Sequence, residues 1–512
     1  MNQIQRLPHR AILAGSCTAF MTLSACGGGT VPGTSTSTGS SSTPVQLSAA
    51  SPVAQAAGPC GMATAGLTGE GIQANSAVQP QVAARPGLPT QLFAIWEQDR
   101  WTAIGARGAM FSASTDGGAT WNTTPLALPF STCTSGVVPG SQFDRISAPS
   151  ITAGSGVVLA SVLAFSASGY EAPGGKSAVL VARSADGGLT WSTPVAVISD
   201  TGSSTGPWHF NDRDAIAMDP NSSHVYLVWD RLTTDTAASS PTWLAHSADG
   251  GLTWDASRLI FDPGTMNQTF NNQPVVLPDG SVVNVFSLAN GFGATLTAIR
   301  SADHGLTWTA PGGTLAGGSV SIATMAPVAT VNPVAGGAPV RDSPYMAQVA
   351  VDPSSGAIAA VWQESSFSSG ARNGIAFTIS TDKGVHWSAP VQVNGRTDLQ
   401  AFDPSVHFSG AGKVAVTYYD FRDCGSGCST AALTGVWMRV STDNGHTWGA
   451  DVRVAGPFDL LYAPPTDQLA GTVGNALFLG DQQGLAWNGS AWVSVLATSG
   501  ASGTHVQSVT TR

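Results

Sequence analysis

Asp212-Arg213-Asp214 sets two carboxylates around one guanidinium within three residues, and short acid–arginine clusters of this kind recur along the chain. They include Glu97, Asp99 and Arg100; Asp144 and Arg145; Asp230 and Arg231; Arg341 and Asp342; and Asp420, Arg422 and Asp423. Glu364, Asp403 and Asp481 stand apart, and Trp208, His209, Asn271, Asn272, Tyr418 and Tyr419 accompany the set. The base is Arg in every cluster and never Lys. A guanidinium offers a planar fork that grips carboxylate or phosphate through parallel hydrogen bonds. A set of carboxylates can serve a hydrolase or a lyase, directly as acid and base or by caging a cation. The clusters stand out because charge is scarce: 21 Lys and Arg and 31 Asp and Glu among 512 residues. A net charge of −10 argues against nucleic acid as a partner, since phosphate binding needs a basic face. There is no P-loop, dinucleotide fingerprint or G-x-S-x-G elbow, and nothing calls for a cofactor.

The elements that must position these side chains are short strands. Gly (60) and Pro (31) are abundant, and no long stretch has a 3.6-residue apolar period. One octapeptide recurs six times, as Ser114–Trp121, Ser184–Trp191, Ser247–Trp254, Ser301–Trp308, Ser380–Trp387 and Ser441–Trp448. Its pattern is S-[AT]-D-x-G-x-[TH]-W. Asp tolerates tight turns and accepts hydrogen bonds from backbone N–H groups further on. Gly supplies a left-handed position, and Trp packs a large ring between neighbouring sheets. These aspartates are therefore read as structural. Around each octapeptide two apolar strands precede a strand running into the Ser, and one follows. In the fifth unit these are residues 345–351, 357–363, 375–381 and 391–394.

The octapeptide resembles the Asp-box, or BNR repeat, of the sialidase superfamily. The resemblance implies an all-β propeller of four-stranded antiparallel blades. Inner strands are expected to begin near Gln79, Ala148, Asp214, Gln273, Tyr345, Phe402 and Gly480, which favours seven blades, with six as the alternative. The last unit has strands at residues 484–487, 492–497 and 505–510 but no octapeptide, and a strand near residues 71–76 is expected to complete it. In such a propeller the octapeptides are hairpins between third and fourth strands and mark an inert end. The acid–arginine clusters then fall on the opposite rim.

Sialidases hold a substrate carboxylate with three Arg, attack with a Tyr helped by a Glu, and use an Asp as acid and base. Carried over, Arg145 in Phe-Asp-Arg-Ile-Ser resembles the family's Phe/Tyr-Arg-Ile-Pro motif, although it follows the first octapeptide and has an Asp inserted. Arg341 and Arg422 are candidates for the other two Arg, with Arg213 nearby. Tyr418 or Tyr419 is the candidate nucleophile, Glu364 its helper, and Asp212 or Asp214 the acid. Arg231 beside Asp230, and Arg422 between Asp420 and Asp423, also admit a purely structural reading.

The first 25 residues read as an export signal, with Arg6 and Arg10 ahead of an apolar stretch too short to span a membrane. Leu23-Ser24-Ala25-Cys26 resembles the lipobox of bacterial lipoproteins, which implies a diacylglycerol on Cys26 and, with Gly27 following, an outer-membrane location. Residues 26–60 read as a Gly/Ser/Thr-rich tether and 61–512 as the propeller. After export, Cys424 and Cys428 can close a small loop, leaving Cys60 and Cys133 as the second disulfide. A metal site at Cys424-x-x-x-Cys428 is the rival reading, though no His or second Cys pair accompanies it. The functional expectation is a cell-surface, monomeric exo-α-sialidase or related glycosidase acting on terminal acidic sugars. A non-catalytic glycan- or protein-binding propeller is the alternative, and a cation-assisted lyase or hydrolase a third reading.

Overall fold

The computed structural model describes residues 40–48, 71–122, 124–134, 143–166, 175–201, 208–233, 239–290, 293–314, 316–425, 427–466 and 476–512. Cys26 and Cys60 lie outside them. The chain is almost entirely antiparallel β.

Among the described residues seven four-stranded antiparallel meanders follow one another, the first two joined by a single bridge between Ala106 and Ile146. The fifth, for example, consists of Gln348–Val351, Ile358–Glu364, Gly374–Ser380 and Val391–Gln392, within a few residues of the strands expected there. The first strands of the meanders are Ile72–Arg85, Arg145–Gly154, His209–Met218, Gln268–Val276, Gln348–Val351, Ala401–Gly410 and Gly484–Trp487. Each touches the next, and the last touches the first, so the inner strands form a closed, propeller-like ring. A separate small sheet of Val340–Arg341, Pro465–Thr466 and Ala476–Phe478 lies outside this series.

The strand that completes the seventh meander is not the expected one. Residues 72 and 73 pair with Trp101 and Arg100 inside the first meander. The fourth strand of the seventh is Val45–Gln46, antiparallel to Gly503–Thr511. Part of the stretch read as a tether is therefore built into the ring. The reason is Leu47, which is buried in a cluster with Trp96, Val495 and Val506. Apolar side chains on an otherwise polar tract are enough to seat it against an open sheet edge.

Each octapeptide is a turn closed by its own side chains. In the second, Ser184 Oγ accepts from Gly188 N at 2.8 Å, while Asp186 accepts from Thr190 N at 2.9 Å and from the Thr190 hydroxyl. The same bonds recur in the third and sixth copies. Threonine hydroxyl and backbone donors hold Asp186, Asp249 and Asp443 down at about 2. These are turn-forming aspartates, with their acceptor capacity spent locally.

The turn also joins neighbouring sheets. Its second glycine lies against the preceding meander: Gly188 on Phe111, Gly251 on Leu159, Gly305 on Leu244 and Gly445 on Phe377. The Trp rings follow, with Trp191 edge-on to Phe111 at 5.0 Å and Trp448 edge-on to Phe377 at 5.1 Å. At the third-to-fourth joint His304, an octapeptide residue, stacks on His224 at 3.9 Å.

Cys424 and Cys428 form the expected disulfide. Cys133 is also disulfide-bonded, and the partner expected for it, Cys60, lies outside the described residues.

Two adjacent glycines separate the joint from the turn. Gly188 has φ +92°, and an added Cβ would overlap the Phe111 ring; Gly187 has φ +76° with open space around it. Gly187→Ala is expected to cost about 1 kcal/mol through backbone strain alone. Gly188→Ala should cost about 3 kcal/mol or more, because strain and overlap act together. Urea denaturation of both variants checks this, and equal losses would show that the Phe111 contact carries no weight.

Candidate functional site

Five inner strands contain a left-handed residue, at Gln79, Ala148, Arg213, Asn271 and Asp403, and the other two are preceded by a residue of positive φ, Tyr345 and Gly480. In five of the seven the pairing register shifts there, between 78 and 81, 147 and 150, 212 and 215, 270 and 273, and 402 and 405. These are β-bulges, which bend a strand and re-aim its side chains. The strand starts read from the sequence fall on these bulges. The strands themselves begin three to seven residues earlier in the first four meanders, one residue earlier in the sixth, and three and four residues later in the fifth and seventh.

In three places a second-strand side chain secures this point in the next sheet, and Asn271, on a first strand, adds a further tie. Glu97 Oε1 accepts from Ala148 N at 3.2 Å and from Ser147 Oγ at 2.9 Å. Gln363 Oε1 accepts from Asp403 N at 3.0 Å, and Ser287 Oγ donates to the Tyr345 carbonyl. Asn271 Nδ2 reaches the Ala347 carbonyl at 2.7 Å. Left-handed non-glycine residues are costly and persist where surrounding contacts over-determine them; these bonds supply that constraint.

The bulges bring distant charges together. Asp481 Oδ2 accepts from Arg213 Nη1 at 2.7 Å, Arg341 Nη2 at 3.1 Å and Gln79 Nε2 at 3.2 Å. Its donors come from the third meander, the segment before the fifth, and the first. Beside them Arg100 binds Glu97 at 2.6 Å. The guanidiniums of Arg100 and Arg341 lie 4.2 and 4.9 Å from the centre of one ring, Phe478.

The carboxyls around this centre are held in the protonated direction. Burial pushes Asp214 up to about 7; the negative charge of Asp212 adds to this, while Ser161 and Arg213 oppose it. Burial and then Asp212 raise Asp230, whose backbone is paired directly with that of Asp212 across the two strands. Burial raises Asp403, with Asp342 and Asp481 adding to it, and burial raises Asp342 and Glu97. Asp212 is only half-buried. Carboxyls whose environments differ in this way can divide proton donation and acceptance between them. No group of three or more His, Cys, Asp or Glu among the described residues is arranged to hold a metal ion.

Of the residues singled out by sequence, Arg213 and Arg341 meet at Asp481, and Asp212 and Asp214 flank Arg213. Asp481, Glu97 and Arg100, from the same acid–arginine clusters, belong to this centre, while the other catalytic and binding candidates do not join it. Tyr418 and Tyr419 are buried in two different inter-sheet cores. The Tyr418 hydroxyl donates to Asp451 Oδ1 at 2.7 Å and that of Tyr419 to the Ala497 carbonyl at 2.9 Å. Burial moves both phenols well up, away from the phenolate a nucleophile needs. Glu364 is bound by the N–H groups of Ala326, Ser366 and Trp362, so it caps turns and does not assist Tyr418 or Tyr419. Arg422 pairs with Asp420 and Asp451 and lies 3.7 Å over Trp437. Asp423 pairs instead with Arg453, and Arg231 with Asp200 rather than Asp230. Arg145 donates to the Ile104 carbonyl and stacks on Trp101. The apolar run of alternate residues through Tyr418 and Tyr419 already marks them as core. Gln79 and Tyr345 were read only as strand starts and not as site residues; their signal is a proline-flanked residue where a strand was expected to start.

No family model and no curated protein matches the chain. Among solved structures, it is similar to a protein of unknown function from Dyadobacter fermentans (TM-score 0.44, 18% identity, 67% of this chain and 90% of that one). It is also similar to an α-L-arabinanase from Penicillium chrysogenum complexed with arabinobiose (0.43, 12%, 92% and 98%). A third is Trypanosoma rangeli sialidase with the inhibitor DANA (0.42, 13%, 67% and 53%); the chain spans about half the length of that protein. At such scores a functional assignment has to rest on the side chains of this chain.

The buried carboxyls also set the pH dependence of stability. Asp214 has a folded value of about 7 against an ordinary 3.8, so its contribution is fully present below about 4 and is lost as pH rises through about 7. Asp186, Asp249 and Asp443, at about 2, act in the opposite sense below about 4. The melting temperature should therefore peak between about pH 4 and 6 and fall by pH 8. In Asp214→Asn the fall should be smaller, and an unchanged profile would show that Asp214 is not protonated in the folded chain.

Proposed function

We propose that the chain is an exported, lipid-anchored glycoside hydrolase on a seven-bladed, sialidase-like propeller, acting on terminal acidic sugars. The observation that carries this reading is the meeting of Arg213 and Arg341, from separate parts of the ring, on the one carboxylate of Asp481. Two forks converging on a carboxylate make a place suited to the carboxylate of an acidic sugar, and an incoming ligand would share the forks with Asp481. Asp214 is suited to protonate the leaving-group oxygen, since a donor works best with a value near the working pH. Asp212, on the other side of Arg213 and more exposed, is suited to accept a proton.

The attacking group differs from the one first expected. With Tyr418 and Tyr419 in the core, Tyr345 is a candidate among the described residues, half-buried at its left-handed position and within the field of Glu364. Either Tyr345 attacks, or water does so with Asp212 as base, which inverts the anomeric configuration.

The second reading is a glycan-binding propeller without catalysis. It is favoured by the burial of both expected tyrosines and by the internal carboxylate already seated between the arginines.

A fluorogenic α-sialoside and an α-L-arabinofuranoside, tested from about pH 4 to 9, separate these readings. The hydrolase reading expects turnover of the sialoside that declines above about pH 7 as Asp214 loses its proton. Asp214→Asn should lower kcat/KM by about 10²- to 10⁴-fold, and Arg341→Ala should chiefly raise KM. Loss of turnover in Tyr345→Phe assigns the nucleophile to Tyr345; retention assigns attack to water. No turnover by folded protein, with calorimetric binding of a sugar acid, leaves the binding reading. Neither turnover nor binding overturns both.

A further inference from the structure

The octapeptide end of the ring carries apolar side chains that the fold does not use. Leu189, Leu252 and Leu306 are 75%, 63% and 67% exposed. They occupy the same octapeptide position, directly after the second glycine, in the second, third and fourth meanders. The equivalent residues elsewhere are Ala119, Val385 and His446, so the leucines form a crescent on one side of the ring. None is needed for the turn, which Ser, Asp and Thr close by themselves.

The amino-terminal chain enters at this same end. Ser41 is bridged to Thr511, where the third strand of the seventh meander finishes. Arg512 N donates to the Ser40 carbonyl. Asn488, in the turn between the first two strands of the same meander, donates to the Gly117 carbonyl of the first octapeptide. A cavity there is lined by Ser40, Thr43, Asp116, Gly118, Asn488 and Arg512. Cys26 is thus connected to the octapeptide end through residues 27–39, a span of at most about 50 Å when fully extended. The seventh meander, where the chain enters, lies across the ring from the third and fourth.

We infer that the octapeptide end is a membrane-docking face, with Leu189, Leu252 and Leu306 seated in the headgroup region of the bilayer that holds the lipid of Cys26. This rests on the lipid-anchor reading. A tether on one side and a leucine crescent on the other hold the end flat and leave the Arg213–Arg341 rim facing away from the membrane. Three separate leucines hold a bilayer weakly by themselves; the tether makes their insertion intramolecular and so effective. The neighbouring Asp186, Asp249 and Asp303 are acidic, which favours a zwitterionic surface and makes docking insensitive to salt.

Leu252→Trp and, at the opposite end, Phe367→Trp are reconstituted with the full chain in phosphatidylcholine vesicles with and without brominated lipid. The proposal expects the fluorescence added by Leu252→Trp to fall by about half or more, in low and in 0.5 M salt as a rough upper bound, and that added by Phe367→Trp to be unchanged. No preferential quenching of Leu252→Trp on an anchored chain overturns it. Labelling of Cys26 with a fatty acid, with Cys26→Ser as control, tests the anchor separately. If Cys26 carries no lipid, quenching on added vesicles still supports the face and its absence overturns it. Concentration-dependent dimers of the Cys26→Ser chain that Leu189→Ser, Leu252→Ser and Leu306→Ser together abolish would also overturn it, in favour of a second copy on this surface. All three leucines are exposed, so unchanged melting of these variants is the folding control.

Discussion

The contact between an octapeptide and the sheet before it is the joint on which the molecule depends. A four-stranded sheet of this size cannot bury both faces alone and needs a neighbour on each side. The octapeptide provides one by placing a glycine against the preceding sheet, where any side chain would collide, and a Trp ring beside it. Ser, Asp and Thr meet most of the turn's polar needs within the turn, and side chains such as Asn488 and Arg258 bond turn carbonyls from the neighbouring sheet. The repeat recurs because the contact recurs. The seventh meander, which lacks the octapeptide, has its outer edge covered by Val45–Gln46 from the other end of the chain.

Once the sheets are joined, the inner bulges follow a second repeated rule. In three places the second strand of one sheet reaches the left-handed residue of the next, through Glu97, Ser287 and Gln363 in turn. These side chains differ in chemistry but share a position, and they hold backbone conformations that would otherwise relax. At Arg213 and Asp403 the conformation turns charged residues inward. Burial without full charge balance then raises the carboxyls there. Their proton affinity is thus a result of sheet geometry rather than of any local sequence motif.

The arginines divide into two kinds of contact. Arg422 and Arg453 pair with acids of their own sheet and lie over Trp437, while Arg231 pairs with Asp200 of the preceding meander and lies over Trp243; these contacts brace the outer layers. Arg213 and Arg341 instead share a single acid, Asp481. The first kind can be replaced by apolar packing in principle. The second brings separate parts of the ring to one point.

The octapeptides, their turn chemistry and the four-strand rhythm around each were legible in the sequence, because they depend on residues within about ten positions of one another. The acid–arginine clusters were also visible as clusters. What the sequence could not assign was partnership. Arg422 sits between two acids in the chain yet takes Asp420 and the distant Asp451 and leaves Asp423 to Arg453, and Tyr418 and Tyr419 look like active-site residues yet point into cores. Val45–Gln46 reads as tether because its partner strand lies at the other terminus. Local pattern is decided by neighbours in the chain, where turn geometry and strand alternation act. Which charge meets which, and which carboxyl is buried enough to keep its proton, is decided only when seven sheets close on one another, because burial and pairing belong to distances that the linear order does not contain.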